Sequence, residues 1–530
     1  MDSASIKLLS RRDIEALIAD GNVVVIYHDK ALRLNSWIDR HPGGDKAVLH
    51  MVGRDASQEI DVYHSDKTLK MALAFQIGTV QLPWKNFRPP IQGGKFRTKE
   101  EQELDEGILV SDVEITPHGS PRYGKANPEV ADNYDRDLVK KDLEKYPSLD
   151  DATQQHIIDE FRELHIRLRD EGYFNCNYWG YVREAMRIGT LLTLSYILFG
   201  WRDSSIGWLT LSAIALGLAW HQLTFIAHDA GHLGITHDYQ VDSVIGVLLA
   251  DFVGGLSIGW WKRNHNVHHF VTNDPEHDPD IQHLPFFAVS VKFLKNITSS
   301  FYDRVLEFDA FAKRLIPVQN YTYFVILALG RLNLYRLSWE YLLRGQGPRK
   351  GKGAWLRYLE LTGLATFFYW FFYVVVTCSL KTAGERWLYV IVTHVVTMPV
   401  HVQIPLSHFA MSTSDLGLDE SFPQRQIRTT MDVDCPWWLD YLHGGLQFQV
   451  IHHLFPRMPR HNLRAVQPMI IEFADKLGLH YTIYGFTRGN KEVLGKLGEI
   501  AKQAKILLES NEYCKAELLG DVSLSDKKAI

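Results

Sequence analysis

Apolar residues are concentrated in a few long runs of this chain. Such runs begin near Ile188, Ile206, Tyr358 and Trp387, and short polar turns separate the first from the second and the third from the fourth. Each run is close to the ~20 residues that a helix needs to cross a bilayer, although the first must borrow residues from its flanks. Four buried helices of a large soluble core are the alternative, but soluble helices of this length normally keep a polar face. The pattern therefore predicts two transmembrane hairpins with four crossings.

Basic residues are distributed asymmetrically around these hairpins. The segment between the hairpins is rich in lysine and arginine, whereas the hairpin turns carry few basic residues. Because cytoplasmic loops of membrane proteins hold an excess of Lys and Arg, the middle segment and both termini are expected in the cytosol. The first thirty residues mix charges with short apolar runs, which is not the pattern of a secretory signal peptide. Membrane targeting is then expected from the internal segments.

The 530 residues are too many for one compact core, and composition divides them. Residues 5–81 combine polar helical patterns with the β-like run VVVIY, which predicts a small α+β module. Residues 82–151 are rich in Pro, Gly and charge and indicate a linker with only local order. Residues 152–485 are expected to form an all-α membrane body that opens with an amphipathic helix. Residues 486–530 are expected to form a helical cytosolic tail.

Charge and cysteine content exclude several classes of function. The formal net charge of -5 is small for this length and gives no field that would attract nucleic acid. The cysteines form no CxxC pair, so neither a disulfide framework nor a thiolate metal site is indicated. A reducing, cytosol-facing environment fits this pattern. The four cysteines are Cys176, Cys378, Cys435 and Cys514.

Two histidines in the N-terminal module stand in a distinctive setting. His41 lies in the motif HPGG and His64 in the motif DVYHS. Two neutral imidazoles from different helices can bind both faces of a haem iron and leave no position for oxygen, so such a centre transfers electrons. An HPGG motif alone could equally be a surface turn. With VVVIY before it and GRDAS after it, the stretch from residue 7 to residue 80 resembles cytochrome b5, with Tyr63 where many members have a smaller residue. The resemblance makes His41 and His64 the axial ligands of a b-type haem.

Histidines also cluster in three motifs that follow or adjoin the apolar runs. These motifs are HDAGH at residues 228–232, HNVHH at 265–269 and QVIHH at 449–453. Positions i, i+3 and i+4 of a helix lie on one face, so the histidines of a motif can point at a shared centre. Imidazole binds iron, copper or zinc, and seven histidines in the three motifs are more than one ion can use. The motifs therefore predict two metal ions.

The three motifs resemble those of the membrane fatty-acid desaturase and hydroxylase superfamily over about residues 180–480. A glutamine at the start of the third motif, here Gln449, is typical of the front-end desaturases in that superfamily. The resemblance also points to a histidine just beyond the last span, here His408. It implies eight iron ligands, which are His228, His232, His265, His268, His269, His408, His452 and His453.

Other polar residues near the motifs have two interpretations, as neighbours of the metal ligands or as parts of a polar loop. Gln449, Asn273 and Asp278 are expected around the ligands or as weak ligands, and Asp274 and Asp280 are further candidates. Such side chains can orient an imidazole by accepting its second N–H, although a polar loop with Asp-Pro turns explains the same residues. The role of His277 is left open. The histidines outside the motifs are interpreted as structural: His221, His237, His394 and His401.

The resemblance implies an O2-dependent lipid desaturase with haem b and two non-haem irons as cofactors. Each turnover consumes two electrons, which the family receives through cytochrome b5, and fusing the donor raises its effective concentration. The expected partners are an NADH–cytochrome b5 reductase as electron source and a membrane lipid as substrate. The endoplasmic reticulum membrane is the expected location.

The segments HDAGHLGITH and QVIHHLFPRMPRHNL resemble most the fungal sphingolipid Δ8-desaturases, which act on the long-chain base of a ceramide. A Δ6- or Δ5-type acyl-lipid desaturase is the alternative, because ceramide and phospholipid both place a head group at the interface and a chain in an apolar tunnel. A lipid hydroxylase shares the iron motifs, but Gln449 favours a desaturase. A non-catalytic electron-transfer protein with structural zinc is the alternative of another class.

Overall fold

The computed structural model describes residues 7–105 and 128–518. The N-terminal module contains a four-stranded sheet with the order β1-β4-β3-β2, in which β1 and β4 are parallel and the other pairs are antiparallel. Four helices cover it, as an α+β module requires. Its elements are β1 (Leu8–Leu9), α1 (Arg11–Ala19), β2 (Val24–Tyr27), β3 (Lys30–Arg33), α2 (Asp45–Leu49), α3 (Ser57–Tyr63), α4 (Asp66–Ala72) and β4 (Gln76–Val80).

Local sequence explains the boundaries of this module. Ser10 begins α1 with a capping box, in which its side chain and that of Asp13 accept each other's backbone N–H groups. β2 is an edge strand, but all four of its β-branched and aromatic residues are buried. Gly44 precedes α2 with a φ of +90°, a conformation that L side chains rarely adopt. The HPGG motif therefore forms the tight turn that leads into α2.

The expected linker is more ordered than a tether where the structure describes it. Its helices are α5 (Lys99–Asp105) and α6 (Pro128–Lys145). The indole of Trp84 donates to the Gly53 carbonyl at 3.1 Å, so the chain after β4 still packs on the module. Tyr134 of α6 donates to Glu499 at 3.1 Å and therefore joins α6 to the C-terminal part of the chain. Residues 106–127 of the expected linker lie outside the described residues.

The rest of the described chain is a helical body with two small strand pairs, so the expected architecture is confirmed. In chain order it consists of α7 (Asp151–Asp170), α8 (Tyr178–Gly200), α9 (Ile206–Gly231), α10 (Tyr239–Val247), α11 (Ile258–Phe270), β5 (Ile297–Ser299), β6 (Arg304–Leu306), α12 (Ala312–Leu315), α13 (Gln319–Ala328), α14 (Gly330–Arg344), α15 (Leu356–Phe367), α16 (Ala383–Val395), α17 (Met398–Phe409), α18 (Phe422–Thr429), β7 (Asp432–Asp434), α19 (Asp440–His443), α20 (Gln449–Leu454), α21 (Arg460–Lys476), β8 (Ile483–Gly485) and α22 (Phe486–Leu518). Two helices continue as π-helix, α10 through Leu248–Val253 and α15 through Phe368–Cys378.

Three helical segments of the described chain are long and apolar enough to cross a membrane: Ile206–Gly231, Leu356–Cys378 and Ala383–Phe409. These are the last three of the four expected spans. The first expected span, within α8, is not among them, because Arg183, Glu184 and Arg187 interrupt its N-terminal half. The bent pair Tyr239–Val253 and Ile258–Phe270, with an angle of 116°, adds a fourth if its two arms form one broken span.

The C-terminal region is part of the body and not a separate tail, as far as it is described. Helix α22 buries Val493, Leu497, Ile500 and Ala504 in the largest apolar core, which also contains residues of α13 and α17. The amide of Gln319 donates to the Leu497 carbonyl at 2.9 Å and fixes this packing. Residues 519–530 lie outside the described residues.

The N-terminal module docks on the body mainly through the HPGG turn and α2, which lie on α11. Ala47 of α2 is buried among Val267, Val271 and Phe301 of the body. Lys46 donates to Asp303 at 2.6 Å and to a backbone carbonyl of the body. Polar contacts at the rim are Arg263 with Asp45 at 3.2 Å, Asn266 with the Gly43 carbonyl at 3.2 Å, and Arg169 with Asp66 at 2.9 Å.

Candidate metal centre and haem site

His41 and His64 face each other in the N-terminal module. Their ring centroids are 6.1 Å apart. The Nδ1 atoms donate to backbone carbonyls, that of His41 to Gly44 at 2.8 Å and that of His64 to Ile60 at 2.9 Å. Each Nε2 is therefore left as a free base. Metal–imidazole bonds are about 2 Å long, so this separation suits one metal ion between the two rings.

Burial keeps these two imidazoles neutral. It lowers the pKa of His41 and lowers that of His64 to about 4, because the charged form loses its hydration. A neutral imidazole is the form that binds a metal ion. The pair therefore fits the two axial positions of a haem iron.

Four elements of the body bring the other candidate histidines together. His228 lies in the last turn of α9, His232 directly follows that helix, and the second motif occupies the C-terminal half of α11. His408 is the penultimate residue of α17, and His452 and His453 lie in the short helix α20. These four elements are distant from one another in the chain. Their histidines nevertheless meet, and they surround the candidate metal centre from several sides.

The first group of histidines comprises His228, His232, His265 and His452. One nitrogen of each lies within 4.8 Å of a nitrogen of every other member. The ring centroids of His228 and His232 are both 4.6 Å from that of His452. Such a set can surround one metal ion.

The second group comprises His268, His408 and His453, whose nitrogens obey the same 4.8 Å limit. The ring centroid of His268 is 4.5 Å from that of His408 and 5.0 Å from that of His453. All three side chains are at most 5% exposed. A second metal ion can therefore be held beside the first, away from bulk water.

His269 lies between the two groups. Its Nε2 is 3.0 Å from Nε2 of His265, and its ring centroid is 4.1 Å from that of His453. Two nitrogens bound at adjacent positions of one ion, at about 2 Å each, are roughly 3 Å apart. His269 therefore fits as a fifth member of the first group.

Several of these imidazoles have a buried nitrogen without a hydrogen-bond partner among the described residues. A buried polar atom without a partner costs about 1–3 kcal/mol and is rare in folded proteins. A metal ion would satisfy these atoms, so the residues present fit a metal centre. The atoms are Nε2 of His232, His452 and His453 and Nδ1 of His408.

Three acceptors hold the second nitrogen of ligand candidates. The Asp278 carboxylate accepts from Nδ1 of His268 at 2.8 Å, and the Asp280 carboxylate accepts from Nδ1 of His265 at 3.2 Å. The Gln426 amide oxygen accepts from Nδ1 of His453 at 2.9 Å. Each contact fixes the tautomer and turns Nε2 toward the centre. The role of Gln426 was not expected, because nothing in the segment FPQRQIRT distinguishes a buried glutamine from an exposed one.

The other predicted neighbours act in different ways. Asn273 donates to the backbone carbonyls of His408 at 2.9 Å and Thr429 at 3.2 Å, so it holds the backbone around a ligand candidate and not an imidazole. Gln449 is buried at the start of α20, three and four residues before the histidines of that helix. Asp274 accepts from the Glu276 backbone in a turn, as the polar-loop alternative predicts.

Histidines outside the two groups make ordinary structural contacts. His237 bonds the carbonyls of Leu233 and Phe174, and His401 bonds the carbonyl of Leu327. His277 lies 3.0 Å from the Ser300 hydroxyl and packs against His50 of the module. His277 therefore belongs to the contact between module and body.

Comparison with known proteins agrees with this geometry. Residues 206–485 match the fatty acid desaturase family, and residues 10–81 match the cytochrome b5-like heme/steroid binding domain. The chain thus belongs to the fatty acid desaturase family and carries a fused cytochrome b5-like domain, which confirms the two expected resemblances. Membership makes it a membrane oxidoreductase whose family uses iron and O2, with a haem-binding domain as its first module.

Two of the relatives described here match this chain over nearly its full length, and a third matches about half of it. A Delta 8-(E)-sphingolipid desaturase of Lachancea kluyveri is 51% identical over 98% of this chain and 98% of its own length. A Delta 8-(E)-sphingolipid desaturase of Emericella nidulans is 52% identical over 96% of this chain and 97% of its own. An acyl-lipid (9-3)-desaturase of Borago officinalis is 39% identical over 56% of this chain and 64% of its own.

Proposed function

We propose that this protein introduces an E-configured Δ8 double bond into the long-chain base of a ceramide. The observation that carries the desaturase reaction is the meeting of eight histidines in two adjacent groups. The choice of a sphingolipid, of the Δ8 position and of the E geometry rests on the relatives named Delta 8-(E)-sphingolipid desaturases, which match this chain almost end to end. The choice of ceramide rests on the resemblance of the histidine segments. In the overall reaction, one O2, two electrons and two protons take two hydrogens from the lipid, and two waters leave.

The proposal assigns two irons to the two groups. His228, His232, His265, His269 and His452 would hold one iron, and His268, His408 and His453 the other. Asp278, Asp280 and Gln426 would keep the imidazoles oriented, and Asn273 would hold the backbone at His408. Gln449 would lie beside the irons as a weak ligand or neighbour. When bound, the irons supply the oxidising power that an unactivated methylene demands.

The N-terminal module would supply the electrons. His41 and His64 would hold a b-type haem with both axial positions filled, so that the haem passes electrons and does not bind O2. An NADH–cytochrome b5 reductase would reduce this haem. The rim contacts between module and body support transfer within one chain, because they keep the donor against α11.

The site would lie at the cytosolic face of the endoplasmic reticulum membrane. His228, His232 and His408 stand at the C-terminal ends of two candidate spans, Ile206–Gly231 and Ala383–Phe409, and the N-terminal module packs on α11, which carries three more of the histidines. The basic middle segment supports a cytosolic position for this end. A lipid whose head group stays at this surface can extend its chain along the apolar helices.

Expression in a yeast that lacks Δ8-unsaturated sphingoid bases tests the proposal. New E-configured Δ8 bases with unchanged fatty acids, located by mass spectrometry, are expected. The second candidate is an acyl-lipid desaturase, which the partial match to the Borago officinalis protein favours. New front-end double bonds in fatty acids, with sphingoid bases unchanged, would establish that candidate instead. Purified protein with haem but without stoichiometric non-haem iron would identify an electron-transfer protein.

A further inference from the structure

Tyr63 connects the two halves of the candidate site. It is the residue directly before the haem ligand candidate His64, and it ends helix α3 of the module. Its ring reaches across the contact between the module and the body, where its centroid lies 5.9 Å from that of His269 and 4.9 Å from that of Phe270. His269 is the imidazole that lies between the two histidine groups. One side chain therefore spans from the haem site to the metal centre.

The surroundings of Tyr63 exclude a purely polar role. Its hydroxyl is buried and has no hydrogen-bond partner among the described residues. A buried hydroxyl without a partner lowers stability, so hydrogen bonding cannot be the reason for the contact. The ring meets His269 edge-on at 81°, an arrangement that aromatic pairs prefer. The aromatic ring of Tyr63, and not its hydroxyl, therefore makes the contact with His269.

Packing and charge hold this contact in place. Val62, the neighbour of Tyr63, is 2% exposed and belongs to an apolar core with residues of α7, α20 and α21. Asp45 and Lys46 of the module pair with Arg263 and Asp303 of the body. The module is thus fixed at two places, and Tyr63 packs against the apolar core that forms the first of them.

We propose that the Tyr63 ring is the electron-transfer contact between the haem and the iron centre, acting on His269. This inference rests on the proposed function, in which the fused haem feeds the irons. In the step, a ferrous haem iron is oxidised to ferric and one ferric non-haem iron is reduced to ferrous. One electron moves, and no bond or proton at Tyr63 needs to change. Tyr63 is a positioning residue for electron transfer and does not contact the lipid.

The experiment measures electron transfer without lipid or turnover. The full-length protein, loaded with haem and ferric iron, is kept free of O2, its haem is reduced by a light flash, and the decay of ferrous-haem absorbance is followed. Replacing Tyr63 by Leu removes the ring and is expected to slow the decay about tenfold, equivalent to ~1.4 kcal/mol of barrier. Tyr63→Phe keeps the ring and loses only the unpartnered hydroxyl, so it is expected to preserve the rate.

Tyr27→Leu is the matched control. Tyr27 belongs to the same module, but its ring contacts His28 and its hydroxyl donates to Asp61 at 2.8 Å, within the module. The same loss of a ring there should leave the decay unchanged. Hydrogen exchange in α2 and α11 checks that docking survives in each variant, and the haem spectrum and midpoint potential check that the haem itself is unchanged.

The outcomes distinguish failure of the Tyr63 inference from failure of the proposed electron supply by the fused haem. Decay in Tyr63→Leu at the wild-type rate overturns the inference, and so does a Tyr63→Phe variant as slow as Tyr63→Leu. A loss of docking or a shifted haem potential that accounts for the slow decay in Tyr63→Leu overturns it too. If ferrous haem in the wild-type protein decays no faster with non-haem iron than without it, the proposed electron supply itself fails.

Discussion

The histidines of the metal centre differ in what holds their second nitrogen. Nδ1 of His268 donates to the Asp278 carboxylate, whereas Nδ1 of His453 donates to the neutral amide oxygen of Gln426. A carboxylate raises the basicity of the imidazole more than an amide does, because its charge stabilises the N–H donor. The two ligand candidates should therefore bind a metal ion with different strength, although they belong to the same group.

The first prediction concerns the Asp278 carboxylate. Asp278→Asn keeps the shape but removes the charge and one acceptor, so it should weaken metal binding by roughly 10–100-fold. Iron retained during dialysis against a chelator measures the effect. Asp274→Asn is the matched control, because Asp274 only accepts a backbone N–H in a turn. Equal iron retention in both variants would show that the carboxylate does not act on the metal centre.

The second prediction separates the two metal sites. His41→Ala or His64→Ala should abolish the bis-imidazole haem spectrum and keep the non-haem iron, because the sites share no ligand. His268→Ala or His453→Ala should lower non-haem iron and keep the haem spectrum. Absorbance and metal analysis of purified variants give both values. His401→Ala, outside both groups, should keep both cofactors, and unchanged iron in the His268 and His453 variants would remove those residues from the ligand set.

The sequence was informative about histidines and uninformative about their neighbours. Motif spacing on helices pointed to seven of the eight histidines that meet, because i, i+3 and i+4 positions share a face wherever the helix lies, whereas His408 came from the family resemblance. Gln426 and the backbone role of Asn273 depend on which loops approach α11 in three dimensions. One sequence carries no signal for such an approach.

At the level of elements, the site depends on close packing between α9 and α11. Gly231, the last residue of α9, lies against the Trp261 ring, and a Cβ atom there would be 2.1 Å from Trp261 Cζ3. Trp261 in turn stacks on His265 with ring centroids 4.5 Å apart. The glycine of the first motif therefore sets the distance between the helices that carry the first two histidine motifs.

The third prediction follows from this packing. Gly231→Ala should destabilise the protein by about 1–3 kcal/mol, because the added methyl group overpacks the contact and pushes Trp261 and His265 away. Non-haem iron should fall with it. Gly189→Ala in α8 is the control, since no atom lies within 4 Å of its would-be Cβ, and alanine there favours the helix. Thermal unfolding and the iron content of the two variants measure the effect. Equal stability and equal iron content in both variants would show that α9 and α11 can move apart without loss of stability.

Buried carboxylates fix the other end of α11. The backbone N–H of Ile258 donates to Asp251 at 3.2 Å, and that of Gly259 donates to Glu360 at 3.0 Å. Carboxyl oxygens at a helix N-terminus satisfy backbone N–H donors that have no partner within the helix. The helix that carries HNVHH is thus held at its start by two carboxyl groups and at its end by the histidine groups.

Element prediction from hydropathy worked where a helix is apolar along its whole length and not elsewhere. Three expected spans satisfy that condition, whereas α8 has a charged first half and the bent pair α10–α11 has its apolar residues split by a turn. Helix α22 was expected as a tail because its mean composition is polar. Its buried face is a narrow stripe, which only the packing partners in α13 and α17 reveal.

At the level of the whole molecule, the docked module covers the face of the body next to the metal centre. Ala47 is 2% exposed and packs in that contact against Val267, Val271 and Phe301. A module on a flexible tether would leave the same face accessible to other electron-donor proteins. The described parts of the linker instead pack on the module and the body, and their Pro, Gly and charge content could not show this, because it is typical of both ordered surface segments and disordered ones.

The fourth prediction tests this coverage. Ala47→Arg should release the module, because a buried arginine without a partner costs several kcal/mol, and should leave haem binding intact. Free cytochrome b5 added to the purified protein should then support desaturation, whereas the wild-type protein should not respond to it. Ala74→Arg, at an exposed position of the same module, is the control and should behave as wild type. A wild-type protein that responds fully to free cytochrome b5 would contradict stable docking.

The docked module also determines how the two electrons for each product molecule are delivered. One double bond requires two electrons, but a single haem stores one, and the module that is fixed on α11 cannot be exchanged for a freshly reduced one. Under the proposed electron supply, the external electron donor must therefore reduce the same haem twice for every lipid converted, and the chain must retain the first electron during the interval. When that donor is scarce, the waiting time between the two reductions, and not the supply of lipid, would limit the rate.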